Sequence, residues 1–124
     1  MTGSRRVIDA GSGNGYFSWL AYRSGASVVA LNIDSEQVTK AREFLLEYRK
    51  ADAERLRIEQ LDLYDLVNET RIFDEIICYE VLEHLRRDRE VVQSFHRILR
   101  NGGVLHLCCP NRCHPRHQAE VLDL

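Results

Sequence analysis

Apolar residues fall in short blocks separated by polar, helix-patterned stretches, and the two kinds of segment alternate along the chain. Residues 7–10 (VIDA) and 27–33 (SVVALNI) are apolar runs without strict alternation, the pattern of strands covered on both faces. Residues 56–61 (LRIEQL), 73–79 (FDEIICY) and 104–109 (VLHLCC) predict three further strands, the last stopped by Pro110. Residues 16–23 predict a helix with Phe17, Leu20 and Ala21 on its inner side and Gly25 as its stop. In the next helix Val38, Ala41, Leu45 and Tyr48 recur at intervals of three and four and form an apolar stripe. Asp34 followed by Gln37 is a variant of the capping box, and Glu36 can pair with Lys40 one turn on. Residues 62–69 predict an irregular or short helical link. A third helix takes Asp88 as its cap, presents Val91, Val92, Phe95, Ile98 and Leu99, and ends at Asn101-Gly102-Gly103.

This order implies an α/β fold, a mostly parallel sheet of about five strands flanked by helices in three layers. A chain of 124 residues holds one domain, read here as 1–124. Its last fourteen residues carry no convincing periodicity over their first half, so the domain is expected to be incomplete after strand five. A fifth strand left at the edge would expose unpaired backbone, and self-association is expected there.

Composition narrows the class further. Hydrophobic residues make up 44% and prolines number only 2, which excludes a disordered or collagenous polymer. No apolar stretch is long enough to span a membrane, and the first residues lack the apolar run of a secretory signal. A cytoplasmic protein with no membrane partner is the expectation. The net charge of -2 argues against a dedicated nucleic-acid coat, although residues 1–85 carry net -5 and residues 86–124 net +3. Cys78, Cys108, Cys109 and Cys113 do not form a disulfide framework and read as free thiols. A zinc set of Cys109, Cys113, His114 and His117 would place two ligands side by side, so no metal is assigned.

The main chemical signal is D-A-G-S-G-N-G, residues 9–15, between a strand and a helix. Glycines there let the backbone turn sharply and let a ligand approach the helix start. Counting from Gly11, the dinucleotide pattern G-x-G-x-x-G fails at Tyr16, and no G-K-[ST] follows to make a phosphate loop.

VIDAGSGNGYFSWLA, VVALNIDSEQVTKARE, FDEIICYEVLEHL and HRILRNGGVLHLCCPN, in that order over residues 6–112, resemble the class I S-adenosylmethionine-dependent methyltransferases. The resemblance implies a Rossmann-like core and S-adenosyl-L-methionine as cofactor. It implies that Asp9, Gly11 and Gly13 line the cofactor's amino-acid end. The family's acidic ribose-binding residue is replaced by Asn32, followed by Ile33, while Asp34 reads mainly as a helix cap. Asp62 and Leu63 would address the adenine, and Tyr79 would touch the cofactor through its backbone or else pack over the helix start.

Glu80, Glu83 and His84 fall at i, i+3 and i+4 and are the polar candidates at the mouth, with His84 as base or as structural partner. The expected activity is methyl transfer to an unidentified acceptor, read as a small molecule. One alternative is a catalytically incomplete cofactor-binding domain. Another is a metal-assisted RNA ribose 2′-O-methyltransferase, for which E-x-x-E-H and a following His114 or His117 would supply ligands.

Overall fold

The computed structural model describes residues 5–79, 81–108 and, for the backbone alone, 120–123. Among the described residues six strands form one sheet: β1 Arg6–Ala10, β2 Ser27–Asn32, β3 Leu56–Gln60, β4 Phe73–Tyr79, β5 Leu99–Cys108 and β6 Glu120–Asp123. Their spatial order is β3-β2-β1-β4-β5-β6. The first five run parallel, and β6 pairs antiparallel with β5 from Val104 to Leu107. The α/β reading holds, with one strand more than expected. The β5 edge from which self-association was expected is therefore paired over those residues.

Apolar runs without alternation make sense once both faces are seen to be covered. On one face Ile8, Ala10, Val29, Leu31, Ile76, Cys78 and Leu105 pack against Val91, Phe95 and Ile98 of α3 (Asp88–Ile98). A 3-10 segment, Leu63–Asn68, adds Leu63 and Leu66 to that layer. On the other face Val7, Val28, Ala30, Leu56 and Ile58 meet Val38 and Ala41 of α2 (Ser35–Arg42), together with Leu45. Trp19, Ala21 and Tyr22 of α1 (Tyr16–Arg23) close the same layer.

Three local departures have physical causes. Phe17 and Leu20 are half exposed, and the buried residue of α1 is Ser18, because Ser18 faces the Asp9 carboxylate. The second helix widens into a π-helical turn, Glu43–Tyr48, in which the Arg49 N–H donates to Phe44 O, five residues back. The wider turn breaks the apolar stripe, leaving Leu45 buried and Tyr48 74% exposed. α3 ends at Ile98 rather than at the glycine pair, because Leu99 leaves the helix to pair with Phe73 at the start of β5. Asn101-Gly102-Gly103 lies inside β5, where the register shifts between Phe73 and Glu75. Cys78 is buried in β4, and Cys108 is disulfide-bonded, which the reading of four free thiols missed.

Candidate functional site

The strand order reverses between β1 and β4, which opens a crevice at the carboxyl ends of the strands. The glycine loop after β1 folds over the end of β2: Gly11 N and Ser12 N both donate to Leu31 O, at 3.1 and 2.7 Å. Gly11, Gly13 and Gly15 all have positive φ. At Gly11 a Cβ would lie 2.4 Å from Val81 Cγ2, so the loop closes against the segment after β4 only with no side chain there. Ser12 Oγ is buried and has no hydrogen-bond partner among the described residues.

Under this loop lies a cavity of about 120 Å³, lined by Gly11, Leu31, Asn32, Ile33, Leu61, Asp62, Leu63, Val81 and Leu85. Three consecutive strand ends thus bring together five of the residues expected from the sequence: Gly11, Asn32, Ile33, Asp62 and Leu63. Asp62 caps the 3-10 segment by accepting from Tyr64 N at 3.0 Å through Oδ1, leaving Oδ2 as an acceptor. Asn32 accepts from Asp34 N through Oδ1 at 2.9 Å and donates through Nδ2 to Gln37 Oε1 at 2.7 Å. Asp34 accepts from Glu36 N and is the α2 cap; Gln37 serves Asn32 instead of completing a capping box.

Asp9 stands apart from the cavity wall. It is 3% exposed, accepts from Ser18 Oγ at 2.6 Å, and pairs with no cation among the described residues. Burial pushes its carboxyl up to about 6, against the opposing pull of the Ser18 hydrogen bonds. The Tyr79 ring packs edge-on against Phe17, with centroids 4.7 Å apart, which matches the packing role considered for it. Burial, and secondarily the Asp9 charge, raises the Tyr79 hydroxyl above its ordinary range.

Glu83 and His84 belong to a single 3-10 turn, Leu82–His84, with His84 Nε2 3.3 Å from Glu83 Oε2 and the imidazole largely exposed. Neither lines the cavity. Glu80, and the zinc candidates Cys109, Cys113, His114 and His117, lie outside the described residues. Among the described residues no three His, Cys, Asp or Glu side chains gather as a metal set. No described helix is long and apolar enough to cross a membrane.

Sequence reasoning missed Ser18, Gln37 as the Asn32 partner, and the walls Leu31, Leu61, Val81 and Leu85. A larger groove, about 800 Å³, runs outside the sheet between α1 and the α2 region, past Tyr16, Trp19, Phe44 and Arg49. Of the expected residues it touches Gly13 alone, and its charged groups are the cations Lys40 and Arg49. Acceptors of Asn32 and Asp62 converge in the smaller cavity, which is the candidate site.

The methyltransferase domain family matches residues 8–105. The chain belongs to that family. A ubiquinone biosynthesis O-methyltransferase of Xanthomonas oryzae pv. oryzae is 35% identical over 113 residues, covering 86% of this chain and 44% of that protein. The corresponding Nitrosomonas europaea protein is 32% identical over 114 residues, covering 87% and 45%. This methyltransferase domain thus spans under half the length of those curated relatives. Among solved structures, the cyclase SpnF superposes with a TM-score of 0.76 at 20% identity, over 86% of this chain and 39% of that one. The YcgJ protein of Bacillus subtilis gives 0.72 at 25%, over 84% and 43%. A cyclase on this scaffold shows that the fold alone does not fix the reaction.

Proposed function

We propose that the chain binds S-adenosylmethionine at the loop and cavity after β1 and β2 and transfers its methyl group to a hydroxyl of a small-molecule acceptor. The observation that carries this reading is the convergence of Gly11, Asn32, Ile33, Asp62 and Leu63 on one cavity. The side chains suit a nucleoside with a cationic tail: neutral and anionic acceptors stand at the cavity, and the buried Asp9 has no cation beside it among the described residues. Asp62 accepts from the adenine amino group and Asn32 addresses the ribose. Asp9 balances the amino-acid ammonium, directly or through water, with Gly11 and Gly13 giving the backbone room to approach. Tyr79 contributes its backbone at the end of β4. Bound cofactor supplies an activated methyl on a sulfonium, so the protein has to align the acceptor and take its proton.

His84 takes that proton. Its Nε2 faces Glu83, which favours the tautomer with a bare Nδ1 for the acceptor hydroxyl. Glu80 belongs to the same polar mouth in this reading. Relatives named as ubiquinone biosynthesis O-methyltransferases support oxygen as the acceptor atom. A second reading, cofactor binding without turnover of its own, draws on coverage of only 44% of the first of them. The RNA alternative needs Glu80 with His114 or His117, which lie outside the described residues.

Calorimetric titration with S-adenosylhomocysteine tests the reading. Saturable binding is expected. Gly11→Ala should weaken it at least about tenfold, because the new Cβ collides with Val81 where φ is +78°. No heat at millimolar ligand overturns the proposal. Binding without methyl transfer to any of a panel of phenolic and aliphatic hydroxyls selects the second reading.

A further inference from the structure

At the end of β2 the chain carries an amide where a carboxylate would accept from both ribose hydroxyls, and the hydrogen bonds around Asn32 fix how that amide is turned. The Asp34 backbone N–H can only donate, so the Asn32 atom 2.9 Å from it is the oxygen Oδ1. Nδ2 therefore faces Gln37, and the Gln37 atom 2.7 Å away is the acceptor Oε1. One backbone donor thus sets the orientation of two side chains in series. With these bonds made, Asn32 keeps one N–H and one lone pair on Oδ1 for a ligand. Asn32 lines the cavity, whereas Gln37, on the first turn of α2, borders the outer groove and not the cavity, so Gln37 acts on a ligand in the cavity through Asn32.

We infer that Gln37 is a positioning residue, which locks Asn32 so that it meets the ribose hydroxyls as a neutral donor–acceptor pair in place of a carboxylate. The inference deepens the cofactor reading and rests on it. Its consequence is selectivity: a neutral pair reads the diol by hydrogen-bond direction, with less affinity than a charged acceptor gives.

The test is binding of S-adenosylhomocysteine and of its 2′,3′-dideoxy analogue, which lacks both hydroxyls, to the full chain and its variants. Gln37→Ala should weaken the parent ligand about threefold to fivefold and leave the dideoxy analogue unchanged, so the ratio between them shrinks. A general loosening of α2 would weaken both ligands alike, and that result overturns the inference. Gln37→Glu keeps an acceptor for Nδ2 and should restore the wild-type ratio. Asn32→Asp should tighten the parent ligand about tenfold, because the acceptor becomes charged. Unchanged binding of both ligands by Gln37→Ala overturns this inference alone, whereas absent binding by the wild type overturns the cofactor reading with it.

Discussion

Asp9 shows how a single residue can be held against its own stability. Its carboxyl is buried with one short hydrogen bond from Ser18, and its value stands at about 6 against an ordinary 3.8. Between those two pH values the folded chain binds more protons than the unfolded chain, so this group's contribution to stability falls as pH rises through the interval. At neutral pH the buried anion costs on the order of 3 kcal/mol, which a cationic ligand group offsets on binding. Asp9→Asn keeps an acceptor for Ser18 and removes the charge. The substituted chain is expected to melt higher at pH 7.5, by scanning calorimetry, and to bind S-adenosylhomocysteine more weakly. Wild-type affinity should rise as pH is raised through about 6, and the variant should lose that dependence. A variant that melts lower and keeps the pH profile would show that Asp9 is an ordinary core partner.

Elements show where a residue pattern is enough and where the third dimension intervenes. The bounds of α1 and β4 could be read directly from the sequence, because their neighbours are a glycine loop and polar turns that end them locally. The start of β5 could not. A glycine pair after an apolar helix stripe reads as a helix stop, yet Leu99 is drawn into the sheet by Phe73, a partner 26 residues away in the chain. Gly103 is then needed for space: a Cβ would lie 2.3 Å from Leu99 Cδ2 and 3.0 Å from the Asp74 carbonyl oxygen of β4. Gly103→Ala should therefore destabilise the chain by about 1–3 kcal/mol in urea titration, an overpacking cost that a surface helix terminus would not show. A cost below about 0.5 kcal/mol would contradict the packing described for β5. The π-helical turn at Glu43–Tyr48 was equally hidden, since a stripe at intervals of three and four carries no mark of where one extra residue enters a turn. In the candidate site, residues on strand ends were legible and their partners were not. Gly11, Asn32 and Asp62 announce themselves by following apolar runs, whereas Ser18 and Gln37 matter only through contacts that folding creates.

For the whole molecule, the alternation of apolar runs and helix stripes was sufficient to give the α/β layering, because covering both faces of a parallel sheet demands that composition in every strand. It was not sufficient for β6, four residues that pair antiparallel with β5, too short a run to show a period of its own. The layering has one functional result: it puts the ends of β1, β2 and β3 side by side, so residues far apart in sequence share one cavity wall. That convergence is the centre of the functional account. Amide chemical-shift mapping in ¹⁵N-labelled protein, titrated with S-adenosylhomocysteine, reads it residue by residue. Saturable shifts are expected at Gly11, Asn32, Ile33, Leu63 and Val81, with the outer groove at Trp19 and Phe44 unmoved. Shifts confined to that outer groove, or none at millimolar ligand, would contradict it.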